Sequence, residues 1–222
     1  MPYRGLILDF AGVMTTPIGR SSQAWCTQAG LPADAWRSTL EDDPVGRALY
    51  VELELGRMSQ EAWNAGTAAI LGVDAENLMG RVHAQVRAVP SMLEVARQAR
   101  LGGISVALLS NSYGFEPYDP YQATGVWDLF DVHIVSGHEG IAKPDPAIYA
   151  LTLQRLGLSA SECLFVDDHL QNLPPAASLG MATLHATGSD ETARVIAEQL
   201  SLPRPGHGPQ SQCSGNPQPY TV

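Results

Sequence analysis

Lysine is nearly absent from this sequence: of its 13 basic residues only Lys143 is a lysine, and the others are arginines. Basic residues are also outnumbered by 23 acidic ones, which gives a formal net charge of -10. A surface this acidic argues against binding to nucleic acid or to an anionic membrane. It also predicts that any anionic substrate needs a locally positive pocket, so the single lysine is a position to weigh for function.

Cysteines are few as well, and Cys26, Cys163 and Cys213 are widely separated. Their odd number and spacing predict neither a disulfide framework nor a zinc site and are typical of a reducing compartment. No apolar stretch is long enough to span a membrane, and residues 1–14 lack the pattern of a signal peptide. We therefore expect a cytoplasmic protein with one hydrophobic core and room for a small second domain.

Short apolar runs alternate with segments of helical spacing between residues 89 and 202. The runs cover residues 104–109, 132–135, 163–166 and 182–184, and a similar run at 6–8 precedes them. Such alternation predicts an α/β fold of the Rossmann-like kind, with a parallel sheet covered by helices on both faces. Ser91 and Glu94 have the spacing of a capping box, which predicts the start of a helix at that point.

Residues 16–88 differ from the rest because they contain no convincing strand. Helical segments are expected at roughly 21–29, 33–40, 45–55, 60–71 and 75–86. The pattern predicts a helical domain inserted after the first strand of a core made of residues 1–15 and 89–202. Residues 203–222 are rich in proline, glycine, glutamine and serine, which predicts a disordered tail.

Polar side chains with chemical potential follow or adjoin the apolar runs. They are Asp9, Ser110, Asn111, Lys143, Asp167 and Asp168. Because ligands bind at the carboxyl ends of the strands in an open parallel sheet, we expect these groups to share one crevice. Carboxylates suit Mg2+, a lysine and a hydroxyl can hold phosphate oxygens, and an aspartate can form an aspartyl-phosphate.

The order and spacing of these residues resemble the four motifs of the haloacid dehalogenase-like superfamily. The correspondence places Asp9 in the first motif, Ser110 in the second, Lys143 in the third and Asp167-Asp168 in the fourth. The helical insertion is similar to the small helical cap of one subgroup, and residues 165–183 are similar to the phosphatase domain of soluble epoxide hydrolase. The resemblance covers about residues 4–200 and implies a core of this fold beneath a helical cap.

The resemblance also implies a role for each matching residue. Asp9 would attack phosphorus and bind Mg2+, together with the backbone carbonyl of Ala11. Asp168 would bind the metal directly, with Asp167 beside it or acting through water. Ser110 and Asn111 would hold the phosphoryl group. Lys143 would neutralise charge on Asp9 and the phosphate.

Position 11 departs from the pattern, because relatives usually carry there a second aspartate that protonates the leaving group. General acid–base help of this kind is typically worth about 100- to 10,000-fold in rate. Phosphonoacetaldehyde hydrolases tolerate alanine at this position, but they use a cap lysine, and the only lysine here lies in the third motif. Haloacid dehalogenases need no acid either, but they use no Mg2+ and would not need Asp167 and Asp168.

Two interpretations remain open. The sequence predicts a Mg2+-dependent phosphatase of a small phosphorylated metabolite, such as a sugar phosphate or a biosynthetic intermediate, with a proton source other than residue 11. The alternative is a catalytically impaired module that binds a phosphorylated ligand or a partner protein. Glu52 and Glu54 are expected to be surface charges, although a cap carboxylate of this kind could supply the missing proton.

Overall fold

A computed structural model describes residues 3–203, which form a parallel sheet, its covering helices and a helical insertion. The strands are β1 (Gly5–Leu8), β2 (Ser105–Ser110), β3 (Val132–Val135), β4 (Cys163–Asp167) and β5 (Ala182–His185). The helices are α1 (Ile18–Gln28), α2 (Ala35–Glu41), α3 (Pro44–Glu54), α4 (Gln60–Leu71), α5 (Leu78–Val82), α6 (Pro90–Leu101), α7 (Pro120–Thr124), α8 (Ser136–Glu139), α9 (Pro146–Leu156), α10 (Leu173–Ser178) and α11 (Ser189–Gln199). None of these helices is long and apolar enough to cross a membrane.

The five strands are all parallel and lie in the order β3-β2-β1-β4-β5. β1 is central, with Leu8 in register with Leu108 on one side and Val166 on the other. The predicted α/β fold is therefore confirmed. Since β1, β2 and β4 are neighbours, the residues at their carboxyl ends meet at one edge of the sheet.

Alternate residues of β1 face the two helical layers, as expected for a sheet that is covered on both sides. Leu6 and Leu8 belong to the apolar cluster that includes Val95 of α6 and Ile196 of α11. Ile7 belongs to the cluster on the opposite face, which includes Ile148 of α9. All three β1 side chains are fully buried, so β1 is a rigid base for the residue that follows it.

The helical insertion, residues 16–88, contains α1 to α5 and supplies most of a third apolar cluster, to which Tyr113 and Tyr118 also belong. Trp36 packs edge-to-face against Trp25 and Trp63, with ring centroids 6.0 and 5.6 Å apart. Its two ends lie side by side, because Thr16 N donates to Arg87 O at 2.8 Å and the adjacent residues form an isolated antiparallel bridge. The two connections between the insertion and the rest of the protein thus lie side by side.

Several local expectations are wrong in detail. No capping box forms at Ser91 and Glu94: α6 begins at Pro90, and the Ser91 hydroxyl accepts no bond from the helix and has no partner within the described residues. Proline suits this first position because its missing N–H would be unpaired there in any case.

Helix lengths and the chain end also differ from expectation. The segment expected to be helical at 75–86 forms only the five-residue α5, which is preceded by Asn77 in the left-handed region. α10 is also short, with six residues, and a single tight turn at 170–172 precedes it. Apart from Pro203, the predicted disordered tail lies outside the described residues.

Candidate active site

Three of the predicted site residues stand at the carboxyl ends of adjacent strands. Asp9 directly follows β1, Ser110 is the last residue of β2, and Asp167 is the last residue of β4. The Asp9 backbone N–H donates to Val166 O at 3.0 Å, which extends the pairing of β1 with β4 to the aspartate itself. All three side chains are buried, so the fold brings them together as the sequence predicted.

The Lys143 ammonium joins two of these strand ends. Its Nζ donates to Asp9 Oδ1 and to Asp167 Oδ2, both at 2.6 Å, and the side chain is only 1% exposed. Burial disfavours the ammonium, but the charges of Asp9 and Asp167 outweigh burial and raise the pKa of Lys143. The lysine is therefore a fixed positive charge at neutral pH.

Asn111 holds the Lys143 backbone in place. The Asn111 amide donates from Nδ2 to Lys143 O and accepts at Oδ1 from Lys143 N, each at 2.8 Å. This paired contact anchors the loop between α8 and α9 to the end of β2. The sequence predicted Asn111 as a phosphate-binding group and missed this anchoring role, because the partner lies 32 residues away.

Asp167 is surrounded by donors on both carboxylate oxygens. Its Oδ1 accepts from His169 N at 2.8 Å and from Asn172 Nδ2 at 3.0 Å, while Oδ2 accepts from Lys143. The residue is fully buried. A carboxylate this well paired can orient Lys143, but it has little capacity left for a metal ion.

Asp168 differs sharply from its neighbour, since its Oδ1 is buried and has no hydrogen-bond partner within residues 3–203. The nearest basic side chain in this part of the chain is His169, whose Nε2 lies 3.8 Å from Asp168 Oδ1. One oxygen each from Asp9, Asp167 and Asp168 lie within 4.8 Å of one another. A buried carboxylate oxygen without a partner, close to two further carboxylates, fits a hard divalent ion such as Mg2+.

The turn after Asp9 is shaped around Asp168. Gly12 has a φ of +84°, and a Cβ added there would collide with the Asp168 carboxylate. A side chain at this position is therefore excluded on both backbone and steric grounds. The close approach brings the Ala11–Gly12 backbone against the same carboxylate that lacks a partner.

A cavity of about 150 Å3 opens in front of these groups. Its lining includes Asp9, Ala11, Ser110 and Lys143 from the sheet edge. The opposite side is lined from the helical insertion by Ile18, Tyr50, Glu54, His83 and Val86. Of this second group the sequence analysis named only Glu54, since a helical pattern does not show which face turns towards a neighbouring domain.

A second cavity, of about 330 Å3, meets the first at Ala11, Ile18 and His169. Trp36 and Leu40 contribute apolar lining to it, and Arg37 lies at its edge. Arg37 is already paired with Glu41 at 3.0 Å. A larger depression of about 610 Å3 around Ile104 lies at the opposite end of β2 and is not lined by any of the site residues described above.

Burial and the Lys143 ammonium have opposite effects on the charge of the nucleophile. Burial raises the pKa of Asp9 to about 6, against the opposing attraction of the Lys143 ammonium. Burial also raises the pKa of Asp168. At neutral pH the Asp9 carboxylate is still mostly ionised, and its hydrogen bond to Lys143 uses Oδ1, so Oδ2 remains for attack on an electrophile.

The chain belongs to the haloacid dehalogenase-like hydrolases, whose family model matches residues 3–180. It is 30% identical over 220 residues to the mouse acyl-CoA dehydrogenase family member 10, covering 90% of this chain and 19% of that protein. It is 35% identical over 107 residues to a sesquiterpene phosphatase of Aspergillus oryzae, covering 48% and 55% of the two chains. The chain thus spans between a fifth and about half of these relatives.

Solved structures confirm the fold. A haloacid dehalogenase-family enzyme of Bacteroides thetaiotaomicron, solved with magnesium and inorganic phosphate, superposes with a TM-score of 0.67 at 20% identity. The match covers 84% of this chain and 96% of that one. The predicted family and fold are therefore confirmed.

Proposed function

We propose that the protein is a Mg2+-dependent phosphatase that hydrolyses a phosphate monoester of a small metabolite through an aspartyl-phosphate on Asp9. The observation that carries this proposal is the Asp9 carboxylate, which is fixed by Lys143 and opens onto a cavity that also contains Ser110. Phosphatase-named relatives support the same reaction class. The retained cluster also argues against the alternative of an impaired binding module.

Asp9 Oδ2 attacks phosphorus, so that a bond forms from aspartate to phosphorus while the bond to the leaving oxygen breaks. Lys143 remains beside Asp9 throughout and neutralises part of the charge that spreads over the phosphoryl oxygens. Ser110, at the buried end of β2, is placed to donate to one of those oxygens. Water then hydrolyses the aspartyl-phosphate, which releases inorganic phosphate and restores the Asp9 carboxylate.

Asp9, Asp168 and the Ala11 carbonyl are the groups that would hold Mg2+. When bound, the ion would supply positive charge to the phosphoryl oxygens and orient them for in-line attack. The buried Asp168 oxygen without a partner supports this assignment. Asp167, in contrast, is already saturated by donors and is better suited to positioning Lys143.

The helical insertion would act as a cap that covers the substrate and selects among leaving groups by contacting them. The second cavity continues from the first at Ala11, so the leaving group of a bound monoester has a path into it. Ile18, Trp36 and Leu40 favour a leaving group with an apolar portion. Among biosynthetic intermediates, this favours an apolar phosphate ester over a sugar phosphate.

The test is phosphate release from a panel of sugar phosphates, triose phosphates and prenyl phosphates, with Mg2+ and with a chelator. We expect Mg2+-dependent turnover that Asp9→Asn lowers by about 10,000-fold or more, because the nucleophile is lost. Asp190→Asn, an exposed aspartate on α11, is the matched control and should retain full activity. Turnover that survives Asp9→Asn would refute the mechanism, and ligand binding without any turnover would favour the binding module.

A further inference from the structure

Two glutamates near the end of α3 have different surroundings. Glu52 is paired with Arg57, whose Nη2 and Nε donate to its two oxygens at 2.6 and 2.9 Å, in an exposed ion pair. Glu54 is half-buried and lines the 150 Å3 cavity together with Asp9 and Ala11. The expectation that both glutamates are surface charges is therefore wrong for Glu54.

The surroundings of Glu54 combine a hydroxyl neighbour with distant charges. Tyr50, one turn earlier on α3, lines the same cavity, and Lys143, His169 and Asp9 influence the Glu54 carboxyl group electrostatically. Within residues 3–203, no arginine, lysine or histidine lies within ion-pair distance of it. Glu54 is thus a carboxyl group that faces the site without a fixed cation to keep it ionised.

The end of α3 is held firmly against the sheet edge, which fixes the position of Glu54. Gly56 lies so close to the Gly137 carbonyl that an added Cβ would collide with it. Four residues further on, Gln60 Nε2 donates to Gly114 O at 2.9 Å and to Tyr118 O at 3.0 Å. These contacts lie on both sides of residues 57–59 and connect the end of α3 to α8 and to the loop that follows β2.

We propose that Glu54 is the general acid that replaces the missing carboxylate at position 11. The proposal rests on the phosphatase function proposed above. Ala11 and Glu54 line the same cavity as the nucleophile, so a carboxyl group is lost on one wall and present on the other. A positioned acid must lie within hydrogen-bond reach of the leaving oxygen, and the cap side is where a leaving group in line with Asp9 would lie.

Burial supports this role by favouring the protonated form. It raises the pKa of the Glu54 carboxyl and outweighs the opposing effects of Tyr50, Lys143 and His169. The negative charge of Asp9 acts in the same direction as burial. Two carboxyl groups with different surroundings in one site are the usual arrangement for an acid and a nucleophile.

Glu54 would donate a proton in the first step and accept one in the second. In the first step the bond from phosphorus to the leaving oxygen breaks, and the Glu54 proton moves to that oxygen, which departs as an alcohol. In the second step a water molecule attacks the phosphorus of the aspartyl-phosphate and gives its proton to the Glu54 carboxylate. The Asp9–phosphorus bond breaks, and both carboxyl groups return to their starting states.

The decisive experiment compares Glu54→Gln with Glu52→Gln on two kinds of substrate. One is p-nitrophenyl phosphate, whose phenolate departs without protonation, and the other is the alkyl phosphate that the panel shows to be turned over fastest. We expect Glu54→Gln to lower kcat about 100-fold for the alkyl phosphate and only a few-fold for the aryl phosphate. Glu52→Gln should match the wild type on both.

Two further readouts separate proton donation from a structural role. The kcat of the wild type on the alkyl phosphate should fall with rising pH as Glu54 ionises, and this descending limb should be lost in Glu54→Gln. Adding Ala11→Asp to Glu54→Gln should restore alkyl phosphate turnover, because a carboxyl group returns to the same cavity. Glu54→Asp, which keeps the carboxyl group, should retain more activity than Glu54→Gln.

Equal losses on both substrates, or no loss on either, would overturn the assignment of Glu54 while leaving the phosphatase proposal intact. Absence of any Asp9-dependent turnover in the wild type would instead refute the proposed function itself. Circular dichroism and Mg2+ affinity of each variant, compared with the wild type, exclude misfolding as the cause of a loss.

Discussion

The sheet edge and the helical insertion contribute in different ways to the same cavity. At the sheet edge a buried polar network forms, in which Lys143 bonds Asp9 and Asp167, and Asn172 bonds Asp167. The insertion has an aromatic core around Trp36 and contributes Tyr50, Glu54 and His83 to the cavity wall. The groups suited to the phosphoryl group are thus on rigid strand ends, and those facing the leaving group are on helices.

This division has a physical basis. A nucleophile and its neutralising charge must be held within fractions of an ångström, and fully buried parallel strands supply that rigidity. A wall of helices can change its side chains without disturbing the sheet. The proposed use of Glu54 on α3 in place of an acid at position 11 involves only this helical wall and leaves the sheet unchanged.

The largest effect is expected from breaking the network at the sheet edge. Lys143→Met leaves the buried Asp9 and Asp167 carboxylates facing each other without a cation, and we expect it to lower the free energy of unfolding by about 3–5 kcal/mol. Urea denaturation at pH 7 measures this, with Arg97→Met on the exposed face of α6 as control. A change below 1 kcal/mol would show that the protein compensates the buried charges by another route.

A smaller effect is expected from His83, which lies in the insertion and faces the same cavity. Burial lowers the pKa of His83 from 6.5 to about 4, and its Nδ1 lies 2.9 Å from the Tyr113 hydroxyl. Below pH 6.5 the unfolded state binds a proton at His83 and the folded state does not. The free energy of unfolding therefore decreases as the pH is lowered. The loss levels off below the folded pKa, at about 3 kcal/mol in total.

Denaturation curves between pH 7 and pH 4 test this linkage. His83→Gln removes the titration and should reduce the pH dependence over that range, whereas His138→Gln, an exposed histidine, should leave it unchanged. An identical pH dependence in wild type and His83→Gln would contradict the linkage.

The smallest effect on stability is expected where the two regions touch. Gly56→Ala combines a φ of +67° with a collision against Gly137 O, whereas Gly72 has a φ of +68° and open space around it. Gly72→Ala should cost only the strain of the left-handed conformation, about 1–2 kcal/mol. Gly56→Ala should cost somewhat more and should also raise KM, because the end of α3 moves away from the sheet edge.

Phosphatase kinetics and thermal unfolding of these two variants separate strain from displacement. Equal KM values in Gly56→Ala and Gly72→Ala would mean that contact at Gly56 does not position the cavity wall.

The sequence predicted the sheet edge better than the insertion for a local reason. A run such as Leu6–Leu8 followed by Asp9 gives both the strand and the residue at its end, and parallel pairing then brings successive strand ends together. Asn111 was predicted at the right edge but with another role. Its contact with Lys143 depends on a loop whose path no short pattern reveals.

The sequence by itself determined the family, the α/β fold and the absence of an acid at position 11, because these depend on periodicity and on residues at fixed places in short motifs. The tertiary structure decided which groups face the cavity. Glu52 and Glu54 are two residues apart on one helix, and only the packing of α3 against α8 and the loop after β2 turns Glu54 towards the cavity. The carboxyl group missing beside Asp9 thus has a counterpart that only the packing of the insertion brings to the site.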